Sequence, residues 1–228
     1  MELRGVLFDF SGTLFRLEFG ADVFDGLTSG SGAPLDQDDR LDLMRRLTAP
    51  VGISAGLPEE LHEAWGRRDL DAAIHRTVYV AALRATGISA HGMAESLYDR
   101  MCRAGSWQPY PDTVEALTRV RAAGIPAAVV SNIGWDITAV FDHHGATGLI
   151  DRIVMSYREG HVKPDPELFA IACARLGVPP EHTLMIGDSE EADGGAASLG
   201  IKVAIVDPLP TAQRRDALLS VLAAHGIG

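Results

Sequence analysis

Apolar and polar positions fall along this chain in blocks whose spacing separates strands from helices. Gly5 to Phe8 is a short apolar run closed by Asp9 and by the turn residues Ser11, Gly12 and Thr13, the pattern of a strand buried on both faces. After Leu14 the strand signal stops, and the chain to about Trp107 is helical in pattern. Leu41, Leu43, Met44 and Leu47 suggest one amphipathic stretch, and Leu70, Ala73, Ile74, Val78, Ala81 and Ala82 a second, closed by Gly87. Breakers separate them at Ala49 to Gly52 and at Gly56 to Pro58, and the Gly/Ser-rich stretch from Gly26 to Gly32 reads as a mobile loop.

From Tyr110 onward helices alternate with short apolar strands. Pro111 and Asp112 start a helix with Val114, Leu117 and Val120 on one face; Gly124 stops it, and Ile125 to Val130 is a strand ending at Ser131. The cycle continues with a strand over Ile150 to Met155, a helix over Pro166 to Leu176, a strand over Thr183 to Ile186 ending at Gly187 and Asp188, a strand over Ile201 to Val206 and a last helix. Strands alternating with helices imply βαβ units and a parallel sheet. The fold class is therefore α/β, a Rossmann-like parallel sheet built from residues 1–15 and 108–228, with residues 16–107 inserted after the first strand as an α-helical cap domain.

Composition narrows the function classes. The 228 residues are 46% hydrophobic and 22% charged, enough to bury one good core and a smaller second one. The net charge of -11 and the lack of a basic run argue against nucleic acid, so an anionic substrate must be met locally by helix ends, a metal or single cations. No stretch approaches the ~18 consecutive apolar residues of a membrane span, and the amino terminus carries no signal pattern; the expectation is a cytoplasmic protein without a membrane partner. Cys102 and Cys173 belong to no Cys-x-x-Cys pair and read as buried or indifferent thiols. Lysine is scarce: Lys163 and Lys202 stand against eighteen arginines.

Four boundaries of apolar runs carry polar groups: Asp9 with Ser11, Gly12 and Thr13; Ser131 with Asn132; Lys163; and Asp188 followed by Asp193. In open α/β sheets the ligand crevice lies outside the carboxyl ends of the strands, where these residues would gather. Taken singly, each has a plainer role. Ser131 or Asp188 can cap a helix, Asp193 can sit on a helix surface, Lys163 can be solvated, and Thr13 can bond its own turn. Asp9 is different, because a carboxylate between Phe8 and Phe10 needs a partner.

In order and spacing the set resembles the haloacid dehalogenase-like hydrolase superfamily, which includes many phosphatases. The resemblance implies that Asp9 is a nucleophile forming an aspartyl-phosphate. It implies that Mg2+ is held by Asp9, the backbone carbonyl of Ser11, Asp188 and Asp193. It further implies that Lys163 balances the carboxylates and that Gly12, Thr13, Ser131 and Asn132, with Lys163, bind the phosphate of a small phosphorylated substrate.

Position 11 departs from that pattern. Phosphatases of the superfamily carry there an aspartate that protonates the leaving group; a serine hydroxyl is a poor donor, so acid–base catalysis worth roughly 10²–10⁴-fold is either missing or supplied from elsewhere, with His62, His75 and His91 of the cap as candidates. Branches that form a Schiff base through a cap lysine do not fit, since residues 16–107 contain no lysine. The 2-haloacid dehalogenases, which need no metal and use a cap arginine, remain an alternative, with Arg16, Arg40, Arg45 and Arg46 available. A catalytically weak phosphate-binding or regulatory protein is the other.

Overall fold

The computed structural model describes residues 2–18, 26, 28, 32–41, 56–85 and 92–228. In chain order the elements are β1 (Gly5–Phe8), β2 (Phe15–Leu17), α1 (His62–Gly66), α2 (Ala72–Arg84), α3 (Met93–Met101), β3 (Trp107–Pro109), α4 (Thr113–Ala122), β4 (Ala127–Ser131), α5 (Thr138–His143), β5 (Arg152–Met155), α6 (Ser156–Glu159), α7 (Pro166–Leu176), β6 (Thr183–Gly187), α8 (Glu190–Asp193), β7 (Lys202–Ile205) and α9 (Ala217–Ala224). The sheet order is β5-β4-β1-β6-β7, and every neighbouring pair is parallel.

The alternation of side chains along a strand explains the layers. Val6 and Phe8 of β1 point to one face of the sheet, where they join Leu117 and Val120 of α4 and Leu218 and Leu222 of α9; Leu7 points to the other, with Leu168, Phe169 and Ala172 of α7. Pro126 delays β4 by two residues relative to the apolar run, because it lacks an N–H, yet its carbonyl accepts from Val6 N. On α4 the buried stripe is Thr113, Ala116, Leu117 and Val120, while Val114 is 43% exposed; the stripe is centred between the 113/117 and 116/120 rows and leaves position 114 on its rim. Asp112 precedes α4 without capping it. Its Oδ2 accepts instead from the N–H of Leu218, at the start of α9.

The segment between β1 and β4 is not wholly helical. Phe15–Leu17 and Trp107–Pro109 form a separate antiparallel pair that brings the two ends of the helical insert side by side. Within the insert, Asp71 caps α2 through the N–H groups of Ala73 and Ile74, and Leu57, Trp65, Val78 and Ala82 make a small second core. Leu41 is helical and exposed. Leu43, Met44, Leu47, Gly87, Arg45, Arg46, His91 and most of the Gly26 to Gly32 stretch lie outside the described residues. Among the described residues the insert meets the sheet through Val80, Leu83, Leu97 and Met101, which share the main core with Val6 and Phe8, through Ser156 Oγ, which donates to the Asp69 carbonyl at 2.5 Å, and through His75, which lies directly over Gly134 in the loop after β4.

Candidate active site

Asp9 leaves the end of β1 with its N–H bonded to the Ile186 carbonyl of β6, so the backbone aims its side chain at the carboxyl edge of the sheet. The following turn is tight. Gly12 N–H donates to the Phe15 carbonyl, Leu14 and Phe15 N–H both donate to the Phe10 carbonyl, and Gly12 has φ +81. Any side chain there would be strained in φ, and its Cβ would lie 2.2 Å from Asp188 Oδ2.

Lys163 ties the cluster together. Its Nζ donates to Asp9 Oδ1 and to Asp193 Oδ1, both at 2.6 Å. The ammonium and both carboxylates are almost wholly buried, and oxygens of Asp9, Asp188 and Asp193 lie within 4.8 Å of one another. Gly187 makes room for this packing, since a Cβ there would be 2.0 Å from Asp193 Oδ2. Ser189, which caps the short α8, also donates its N–H to Asp193 Oδ2. Asp193 is thus a buried group, not a surface helix residue, and the cap of α8 is Ser189, not Asp188.

Three acids and one base leave a net negative cluster in a low-dielectric setting. Burial, with Asp193 and Asp188 adding to it against the pull of Lys163, pushes Asp9 up to about 7. Burial and the Asp193 charge push Asp188 up to about 6. Burial alone would lower the pKa of Lys163, but Asp9 and Asp193 hold its ammonium charged and raise it. An oxygen-only set of crowded carboxylates is what a hard divalent cation prefers, and such an ion would relieve the repulsion.

The other expected residues are also brought to this edge. Ser131 is the last, buried residue of β4, and Ser11 is exposed in the first turn. Thr13 does not bond its own turn: its buried Oγ1 has no hydrogen-bond partner. Asn132 spends both ends of its amide on the backbone of Lys163, donating to its carbonyl at 2.9 Å and accepting from its N–H at 2.7 Å.

The cap candidates among the described residues have partners of their own. His62 Nε2 lies 3.0 Å from the Leu57 carbonyl, and Arg76 pairs with Asp99 on the surface. His75 is buried, stacked on Tyr79, with Nδ1 2.8 Å from the Tyr98 hydroxyl; burial pushes it down to about 3. Arg16 donates to the Pro208 carbonyl at 2.5 Å, and Arg40 Nε to the Leu35 carbonyl.

Sequence reasoning missed Arg214, which reaches the first turn from the segment after β7. It is 4% exposed, donates through Nη1 to the Gly12 carbonyl at 2.7 Å and through Nη2 to the Thr13 carbonyl, and lies 3.2 Å over the Tyr110 ring. No motif marks it.

Fold and cluster together describe a hydrolase of the parallel α/β type with an insert after its first strand. The chain belongs to the haloacid dehalogenase-like hydrolases, whose family model matches residues 3–200. It is 31% identical over 100 residues to a ribulose-1,5-bisphosphate 5-phosphatase from Halopiger xanaduensis, a match covering 43% of this chain and 42% of that protein. It is 26% identical over 208 residues to an (S)-2-haloacid dehalogenase from Pseudomonas fluorescens, covering 88% of this chain and 83% of the other. In fold it matches a magnesium-bound putative hydrolase of the same class, YfnB from Bacillus subtilis, with TM-score 0.68 and 20% identity over the full length of both chains.

Proposed function

We propose that this hydrolase is a magnesium-dependent phosphatase of a small phosphate monoester, with residues 1–15 and 108–228 as catalytic core and residues 16–107 as cap. The observation that carries this reading is the third carboxylate. Asp193 is buried beside Asp9 and Asp188, and a metal-free site that attacks carbon has little reason to gather three mutually repelling acids, a crowding that helps raise the pKa values of Asp9 and Asp188. Asp9, Asp188, Asp193 and the Ser11 carbonyl would hold Mg2+, which when bound neutralises the approach of two anions. The magnesium bound to the Bacillus relative supports the same choice of ion.

In this mechanism Lys163 engages Oδ1 of Asp9 and leaves Oδ2 to attack phosphorus. The Oδ2–P bond forms as the bond from phosphorus to the leaving oxygen breaks, and that oxygen takes up a proton. Water then attacks the phosphorus of the aspartyl-phosphate, inorganic phosphate departs, and the carboxylate is restored. Thr13 Oγ1, the Ser131 hydroxyl and N–H groups of the turn around Gly12 hold the non-bridging oxygens. Lys163 balances their charge, and Asn132 serves the phosphate indirectly by fixing the backbone of Lys163. Ser11 gives no strong acid for the leaving group, so that proton comes from water or from the cap.

A second reading, hydrolytic dehalogenation of a small 2-haloacid, is favoured by Ser11 and by the long match to the Pseudomonas enzyme. Asp9 Oδ2 would then attack the halogen-bearing carbon, halide would leave, and water would hydrolyse the resulting ester. The deciding experiment measures phosphate release from a monoester panel and halide release from 2-haloacids, each with Mg2+ and with chelator, using Asp9→Asn as the blank. Metal-dependent phosphate release supports the phosphatase. Halide release that survives chelation overturns it, and the absence of both products would point to a binding or regulatory protein.

A further inference from the structure

We propose that Arg214 is a positioning residue for catalysis: it fixes the Gly12–Thr13 peptide so that the turn after Asp9 presents an N–H, not a carbonyl, to the anionic group of the substrate. The proposal takes that group to be the phosphoryl of the monoester reading; in a haloacid it would be the carboxylate.

The turn after Asp9 lacks a restraint of its own on the Gly12–Thr13 peptide. Gly12 sits at φ +81 and has no Cβ to hinder rotation of the peptide that follows it. The bonds of the turn itself use the N–H groups of Gly12, Leu14 and Phe15 and leave that of Thr13 outside. The forked guanidinium supplies the missing restraint, taking the carbonyls of both Gly12 and Thr13. Because a trans peptide is planar, fixing the Gly12 carbonyl on Arg214 directs the Thr13 N–H to the opposite edge. The same residue carries the buried hydroxyl without a partner, a second donor left open for a ligand.

Anchoring the C-terminal segment does not require this arginine. The stretch before it is already held by Arg16 on the Pro208 carbonyl, by the Tyr110 hydroxyl on the Leu209 carbonyl at 2.9 Å, and by Thr211, whose N–H and hydroxyl both donate to Glu18. A buried guanidinium carries a desolvation cost, and here Nε has no partner to offset it. What this charge secures in return is the geometry of the first turn.

The test compares the parent with Arg214→Met, which keeps an apolar stem against Tyr110, and with Arg214→Lys, which keeps the charge but loses the fork. Turnover of p-nitrophenyl phosphate with Mg2+ and inhibition by orthovanadate are measured at a temperature where circular dichroism shows each variant folded. The methionine variant is expected to lose about 100-fold in kcat/KM and to bind vanadate about tenfold more weakly, with lysine falling between it and the parent. A shift in Tm with both constants unchanged overturns the proposal. If the methionine variant does not fold, a lysine variant with parental constants overturns it equally. A parent that neither turns over the ester nor binds vanadate refutes the phosphatase reading instead, and the same three proteins compared in halide release from 2-chloropropionate then decide the role of Arg214.

Discussion

Asn132 holds Lys163 by the backbone, not by the side chain, with a hydrogen bond on each face of one residue and thirty-one positions of sequence between the two. Lys163 can therefore spend its ammonium entirely on Asp9 and Asp193. Replacing Asn132 by alanine is expected to cost about 1–3 kcal/mol in urea unfolding, since it strands two backbone groups. Turnover should fall by roughly 10²-fold in protein that is still folded, because Nζ is no longer aimed. Loss of stability without loss of kcat would confine Asn132 to a structural role.

The metal reading depends on Asp188, which closes the carboxylate triangle while the ion pairs of Lys163 run to Asp9 and Asp193. Losing a partner outside the coordination sphere commonly costs 10–100-fold in metal affinity, so Asp188→Ala should weaken Mg2+ binding by more than about 100-fold. Calorimetric titration reads this directly. Undiminished affinity would remove Asp188 from the ligand set.

His75 should make the protein acid-sensitive. Its folded pKa of about 3 lies below the ordinary 6.5, because it is buried and faces Arg68, with Tyr79 and Tyr98 against its ring. Protons therefore bind the unfolded chain first; the stability contributed by neutral His75 is complete above pH 6.5 and is lost as pH falls toward 3. The loss is about 1.4 kcal/mol per pH unit within that window. Urea midpoints at pH 7, 6, 5 and 4.5 should fall more steeply for the parent than for His75→Asn. Parallel curves would show that His75 does not control the slope.

At position 11 the expected effect depends on the leaving group. If Ser11 leaves a phosphatase without its acid, Ser11→Asp should speed hydrolysis of a sugar phosphate more than that of an aryl phosphate, because only the poorer leaving group needs a proton in the transition state. Rates of both esters, taken side by side, measure the difference. An equal or reduced rate on both would mean that proton transfer is supplied elsewhere.

The sheet was readable because β1, β4 and β6 are short apolar runs ending in polar residues, and α7 begins at Pro166 and ends before Gly177 as its sequence signals require. The β2–β3 pair was not readable. Three residues paired with partners some ninety positions away leave no local period, and Phe15, Leu17 and Trp107 look equally at home in a helical block. The acidic cluster was legible as a set of strand ends, whereas its internal pairing was not: that Lys163 chooses Asp9 and Asp193, or that Asn132 serves Lys163, follows from three-dimensional spacing alone. Arg214 was invisible for a related reason. It lies in a polar stretch among other charged residues, and what distinguishes it is burial, which composition does not encode.

The distances along the chain between these partners order events during synthesis. Asp9 leaves the ribosome long before its ammonium partner, which follows 154 positions later, and the arginine that clamps the Gly12 carbonyl comes 202 positions after the glycine. Until then the aspartate is an ordinary solvated carboxylate on a loose turn, with neither counter-charge nor neighbours to perturb it. A nascent or prematurely released chain thus carries the proposed nucleophile without the setting it needs, and that setting is complete only when the last strands have closed the sheet around β1.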